Sequence, residues 1–176
     1  MTSLALAQIL LNGVALGAAY ALIALGFVIV INAVGAVNFA QGELVMAGGF
    51  AAIALAPLVG DAAGLPGLLL LPLVMILMGG FGVGFAHLAY FPLRHRPQVS
   101  VFVSTIAIGL VLQHLANAVF GAAPRVGPPL IAGDGPTLGG LALSLQQLGV
   151  LTCAALLISA TGLFLGRTQT GRRMRA

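Results

Sequence analysis

Few residues in this chain could do chemistry. Its 176 residues hold three carboxylates (Glu43, Asp61, Asp134), three histidines (His87, His95, His114) and one thiol, Cys153. Asp61 and Asp134 stand beside glycine or proline in segments that read as loops. Glu43 sits in Asn38-Phe39-Ala40-Gln41-Gly42-Glu43, between two runs so apolar that both must lie in lipid. An ionisable group near membrane depth is costly, and it persists where it faces a bundle interior, a watery cavity or a partner. Asn38 and Gln41 have the spacing of a capping box, with Asn in the N-cap place of Ser or Thr and Gln41 at N3. Glu43 then falls in the first helical turn, where the helix dipole favours an anion. Two readings stand side by side. Either Glu43 is a helix-start and packing residue, or it takes a direct part in translocation or gating with Asn38, Gln41 and, further on, Gln113.

The missing chemistry narrows the class. There is no lysine, so no G-x-x-x-x-G-K-[ST] phosphate loop can exist. The chain has no H-E-x-x-H and no G-x-S-x-G, its histidines show no metal-ligand spacing, and no carboxylate pair is available for acid–base work. One cysteine in an apolar run supports neither a disulfide framework nor a zinc site. An enzyme is therefore not expected, and neither is a cofactor or metal. All seven positive residues are arginines, with no aromatic interleaving that would suggest nucleic acid.

The composition is that of a membrane protein. It is 60% hydrophobic and 6% charged, against about a quarter charged in soluble domains. About 20 apolar residues cross the hydrocarbon core, and the pattern predicts five spans near 4–31, 44–59, 67–90, 99–120 and 143–165. Together they make one all-α, polytopic transmembrane domain over residues 1–176. The N-terminus reads as a retained span, not a cleaved signal peptide. Gly13 and Gly17 permit either a close helix approach or ordinary glycine content, and Gly79, Gly80, Gly82 and Gly84 offer a close-packing face. Residues 32–42 break the pattern, and such backbone is tolerated only where protein or a water cavity satisfies it. The stretch 60–66 reads as a turn and 121–141 as a Pro/Gly-rich loop. His87, at the end of the third span, is either a proton-handling group or simply hydrogen-bonded. Gln113 and Asn117 are i,i+4 partners, so their face should meet protein or water instead of lipid. Gln113 is thus either a bundle hydrogen-bonding group or a substrate contact.

Arginine placement sets the expected orientation. Arg94/Arg96 and Arg167/Arg172/Arg173/Arg175 are separated by two spans and so lie on one side, which the positive-inside rule makes cytoplasmic. The N-terminus is then outside and the C-terminus cytoplasmic. A protein of this kind that moves solute uphill needs a gradient or ATP hydrolysed by another subunit. An ion-coupled carrier normally has paired ionisable groups at the midplane; only Glu43 is available here, which favours ATP in trans.

Four stretches carry a resemblance to the LivH-type permease subunits of branched-chain amino acid ABC importers. The first is Leu11-Asn12-Gly13, Leu16-Gly17 and Tyr20-Ala21-Leu22-Ile23-Ala24-Leu25-Gly26. The second is residues 38–43, where the family shows Asn-Phe-Ala-His/Gln-Gly-Glu. The third is Thr105-Ile106-Ala107-Ile108-Gly109-Leu110 leading to Leu112-Gln113. The fourth, residues 167–176, is similar to Arg-Thr-x-x-Gly-x-x-x-Arg-Ala. The likeness covers essentially the whole chain.

The resemblance implies a bacterial inner-membrane permease for branched-chain or other hydrophobic amino acids. It also implies a second permease subunit, two ATP-binding subunits and an extracytoplasmic solute-binding protein, with ATP held by the partners. Arg167, Arg172, Arg173 and Arg175 would lie on the ATPase-docking side, besides setting topology and meeting anionic lipid at about 1 kcal/mol per residue. Family members continue with further spans beyond the Arg-Ala pair. The alternatives are therefore a truncated, non-transporting permease fragment or accessory membrane protein, and, from another class, a gradient-driven carrier or small channel.

Overall fold

The computed structural model describes residues 3–59, 66–127, 129, 131, 133, 135, 137–138, 141–142, 144–168 and 171. Asp61, Asp134, Arg172, Arg173 and Arg175 lie outside them, as does nearly all of the expected 60–66 turn. The described residues are essentially all helical. Five helices are long and apolar enough to cross a membrane: α1 Ser3–Val34, α2 Gln41–Val59, α3 Pro66–Ala89, α4 Gln98–Phe120 and α5 Leu145–Arg167. A short 3₁₀ turn, Phe91–Leu93, follows α3. The five predicted spans correspond to these helices one for one. The expected loop at 121–141 differs in one respect, because Thr137–Leu138 and Leu141–Ala142 pair as a minimal antiparallel hairpin.

The helices are apolar on all sides, as lipid-facing spans must be. Ile76 is 75% exposed and Val119 72%. Such a surface is untenable in water and ordinary in hydrocarbon, where the helix satisfies its own backbone groups.

The contacts group the described residues into two compact units, 1–33 with 130–176, and 34–129. In the first, α5 starts at Ser144, whose amide donates to Gln147 Oε1 at 3.3 Å. That is the reciprocal half of a Ser-x-x-Gln capping box. Gln147 also donates through Nε2 to Asn12 Oδ1, which accepts a second bond from Gln8 Nε2 at 3.3 Å. These amides tie α5 to α1 where an unpaired polar group would be expensive.

In the second unit α2 packs against both α3 and α4, and α3 against α4. The close glycine contacts between helices, among the described residues, fall on α2 and α4, and the expected glycine faces of α1 and α3 are open within this chain. Among the described residues, a Cβ added at Gly13, Gly17, Gly79, Gly80, Gly82 or Gly84 would meet no atom within 4 Å beyond its own stretch of helix. Gly48 of α2 lies 3.9 Å from Met78 of α3 on that measure, and Gly109 of α4 lies against the start of α2. His87 is exposed and its ring lies 4.7 Å from that of Phe91.

Helix ends follow from local chemistry. Gly35 has φ +69°, the left-handed conformation that terminates helices and that a Cβ penalises. Replacing Gly35 by Ala is expected to lower stability by about 1 kcal/mol, read as a lower Tm in detergent, whereas Gly13→Ala leaves it unchanged or higher. At the far end of α4, Gly121 (φ +79°) donates its N–H to Asn117 O. Arg125 donates Nε and Nη2 to Phe120 O at 3.1 and 2.8 Å, placing a cation on the negative end of the helix dipole.

Candidate functional site: the start of α2 on the face of α4

The break between α1 and α2, residues 35–40, is the costly segment, and several backbone groups in and beside it are met by side chains. Tyr90 Oη donates to Val34 O at 3.3 Å and Gln98 Nε2 to Gly35 O at 3.1 Å. The Phe39 N–H donates to Thr105 Oγ1 at 3.3 Å, and that hydroxyl donates in turn to Phe102 O at 2.9 Å. The Phe39 ring meets Phe102 edge-on at 4.4 Å. Thr105 is 3% exposed and Asn38 8%. Part of the non-helical backbone between two spans is thus satisfied by protein, in the direction the physics of lipid requires.

Asn38 is not the N-cap that the capping-box spacing suggested. Helix α2 begins at Gln41, and Leu44 N–H donates to Ala40 O, which makes Ala40 the N-cap. Asn38 Oδ1 accepts from the Ala40 amide at 3.0 Å, an Asx turn of the kind this side chain forms in competition with helix. The buried Asx turn leads the chain into the helix two residues later than the box would. Gln41 is then N1, and Glu43, at N3, lies in the first turn as expected. Both are half-buried.

Glu43 lies against α4. A Cβ built on Gly109 would stand 3.4 Å from Ala40 Cβ and 3.5 Å from both Glu43 Cδ and Oε2. The three buried residues of α4, Val101, Thr105 and Gly109, follow one another at i+4. They form one ridge of the helix, and the start of α2 is seated on it. A hydroxyl that holds the Phe39 amide, then a gap that admits Ala40 and Glu43, explains why Thr and Gly occupy these places.

Further along the same pair of helices the two surfaces part. Met46 and Phe50 of α2 face Gln113, His114, Ala116 and Asn117 of α4 and Gly121 across a cleft of about 320 Å³. Phe50 is stacked on Phe120, centroids 4.4 Å apart and planes 17° from parallel. Gln113 and Asn117 therefore share one face and border one space. Asn38, Gln41 and Glu43 cluster at the start of α2, while Gln113 lies one helical turn beyond Gly109, in the cleft. Arg167 ends α5 in the other unit.

Thr105, Gly109, Phe50 and His114 were not singled out from sequence as site residues. Thr105 and Gly109 belong to the resemblance motif of the fourth span. Their i+4 spacing, small residue after small residue in a bulky apolar helix, was the available signal. Replacing Thr105 by the isosteric Val keeps the shape but strands the part-buried Phe39 N–H and leaves a buried site without its hydroxyl. The expected cost is about 1–3 kcal/mol, read as a lower Tm with Ser at the same position restoring most of it.

Five lipid-compatible helices and a partly protein-satisfied break between the first two define a polytopic helical membrane protein. The chain belongs to the family described as the branched-chain amino acid transport system, permease component, which matches residues 9–176. It is similar to the high-affinity branched-chain amino acid transport system permease protein BraD of Pseudomonas aeruginosa, at 30% identity over 96% of the chain and 58% of the relative. It is similar also to the permease protein LivH of the corresponding system of Salmonella typhimurium, at 29% identity with the same coverage. The LivH of Escherichia coli K12 is 30% identical over 72% of the chain and 42% of its own length. The chain thus spans less than two thirds of the length of these relatives. No solved structure matches it.

Proposed function

We propose that this chain works as a membrane permease component of an ATP-driven importer of branched-chain or similar hydrophobic amino acids in a bacterial inner membrane. The observation that carries this reading is the family match along residues 9–176, in a chain whose own sequence has no lysine for a phosphate loop. ATP hydrolysis then belongs to two partner subunits, solute delivery to an extracytoplasmic binding protein, and the rest of the path to a second permease. Arg94, Arg96 and Arg167 mark the cytoplasmic side, with the N-terminus outside. Arg167, in the last turn of α5, and Arg172, Arg173 and Arg175 after it face the ATPases. The α2 start, with Asn38, Gln41 and Glu43, is the junction of α2 with α4, and it is this junction that must move during alternating access.

The test is co-purification. Tagged in its own genome and mildly solubilised, the chain is expected to bring down two ATP-binding subunits and a second permease, identified by mass. Recovery without any ATPase would overturn the proposal.

A further inference from the structure

We propose that the cleft between α2 and α4 is a solute subsite that takes small, net-neutral amphipathic solutes. Phe50 and Met46 set the size of the apolar part, and Gln113, His114 and Asn117 hold the polar end. The inference rests on the permease reading and adds to it a location and a selection rule.

Three exposed polar side chains at 113, 114 and 117 interrupt the part of α4 from Ile106 to Phe120, which is otherwise apolar. Turned to hydrocarbon, each would be an unpaired donor or acceptor costing several kcal/mol on the order seen for water-to-alkane transfer. Polar groups of this kind in a span mark a water-filled cavity or a ligand. The structure supplies the cavity, since Gln113, His114 and Asn117 all border the same space. At about 320 Å³ it lies at the lower end of the range for small-molecule sites and is too small for a peptide. The opposite wall is apolar and firm, because Phe50 is held by its stack on Phe120. Mostly apolar walls with a few convergent polar groups are the usual make-up of a ligand pocket.

The selection rule follows from what lines the cleft. None of the described lining residues is a carboxylate or a guanidinium; two amides and an imidazole are the polar groups. An amide both donates and accepts, so the pair can meet a carboxylate and an ammonium of one zwitterion, or a neutral amide. A solute of net charge would be desolvated there without a counter-charge. The cleft also continues the ridge on which Glu43 and Gly109 meet, so an occupant would touch the same two helices whose junction the permease reading asks to move.

The test uses the complete transporter complex in inverted and right-side-out vesicles, with L-valine, L-leucine, L-phenylalanine, L-glutamate and L-lysine as probes. Phe50→Ala, at wild-type abundance, is expected to raise the uptake ratio of L-phenylalanine to L-valine by about 10-fold, the scale at which an apolar pocket discriminates by size. An unchanged ratio in a complex whose wild type transports would overturn the subsite. The second readout is Ala116→Cys, a lining position outside the polar group, in a Cys153→Ser background. Its reaction with a membrane-impermeant maleimide is expected to be slowed by L-leucine and not by L-glutamate or L-lysine. Reaction with a lipid-soluble maleimide alone would make the cleft a lipid-facing groove and overturn the proposal. Equal protection by the charged amino acids would overturn the selection rule. Protection of the introduced cysteine by L-leucine, in a complex whose wild type transports none of the probes, would sink the permease reading and keep the subsite.

Discussion

Gly109→Leu should unseat the start of α2 and abolish uptake, while Gly109→Ala should leave most of it. The difference lies in the space above residue 109. An added Cβ would rest 3.4 Å from Ala40 Cβ and 3.5 Å from the Glu43 carboxyl, which is close contact that a few tenths of an ångström of movement relieve. A leucine adds three further carbons in the same direction. Overpacking of this kind costs about 1–3 kcal/mol where the surroundings can yield. Here they can yield only by moving residues 38–43, whose backbone is held by Thr105 and by the Asx turn of Asn38. The measurement is uptake at matched abundance, with Tm in detergent beside it. A leucine variant that transports like wild type would show that α2 does not need its seat on α4.

Glu43→Gln is the second large effect, and it separates the two roles that the residue's position allows. Gln keeps the size of the side chain and is itself a good N3 residue. The dipole contribution lost with the charge is about 0.3–1 kcal/mol, so insertion and abundance should stay near wild type. If the carboxylate takes part in the moving junction, ATP-coupled uptake should fall by about tenfold or more, the equivalent of 1.4 kcal/mol. Abundance and uptake are read on the same membranes. Equal loss of both, or of neither, would reduce Glu43 to a helix-start residue.

Helix existence was legible in the sequence because a span is a composition signal, and none of the five runs carries enough charge to be ambiguous. The ends were less legible, for reasons that differ by site. Helix α1 runs to Val34 because its stop is the backbone conformation of Gly35, and Asn32 does not interrupt it. Helix α2 starts at Gln41 because Asn38 spends its carboxamide on the Ala40 amide; two local motifs competed for the same side chain, and spacing alone does not choose between them. The Ser144/Gln147 box was present in the residues and marks the start of α5. The shared face of Gln113 and Asn117 followed from helical geometry, but the cleft did not, since its other wall comes from α2. The seat of Phe39 on Thr105 joins residues 66 positions apart, and no local pattern encodes such a pairing. The glycines of α3 carry the opposite lesson. A small-residue cluster states only that close approach is permitted, and here α2 and α4 make the approach elsewhere.

The most direct measurement is uptake of labelled L-leucine into vesicles holding the complex that contains this chain, with the ion gradients collapsed and ATP supplied to the nucleotide-binding side. ATP-dependent accumulation that requires the extracytoplasmic binding protein is the predicted result. Accumulation that follows an imposed proton or sodium gradient and ignores ATP would contradict the account.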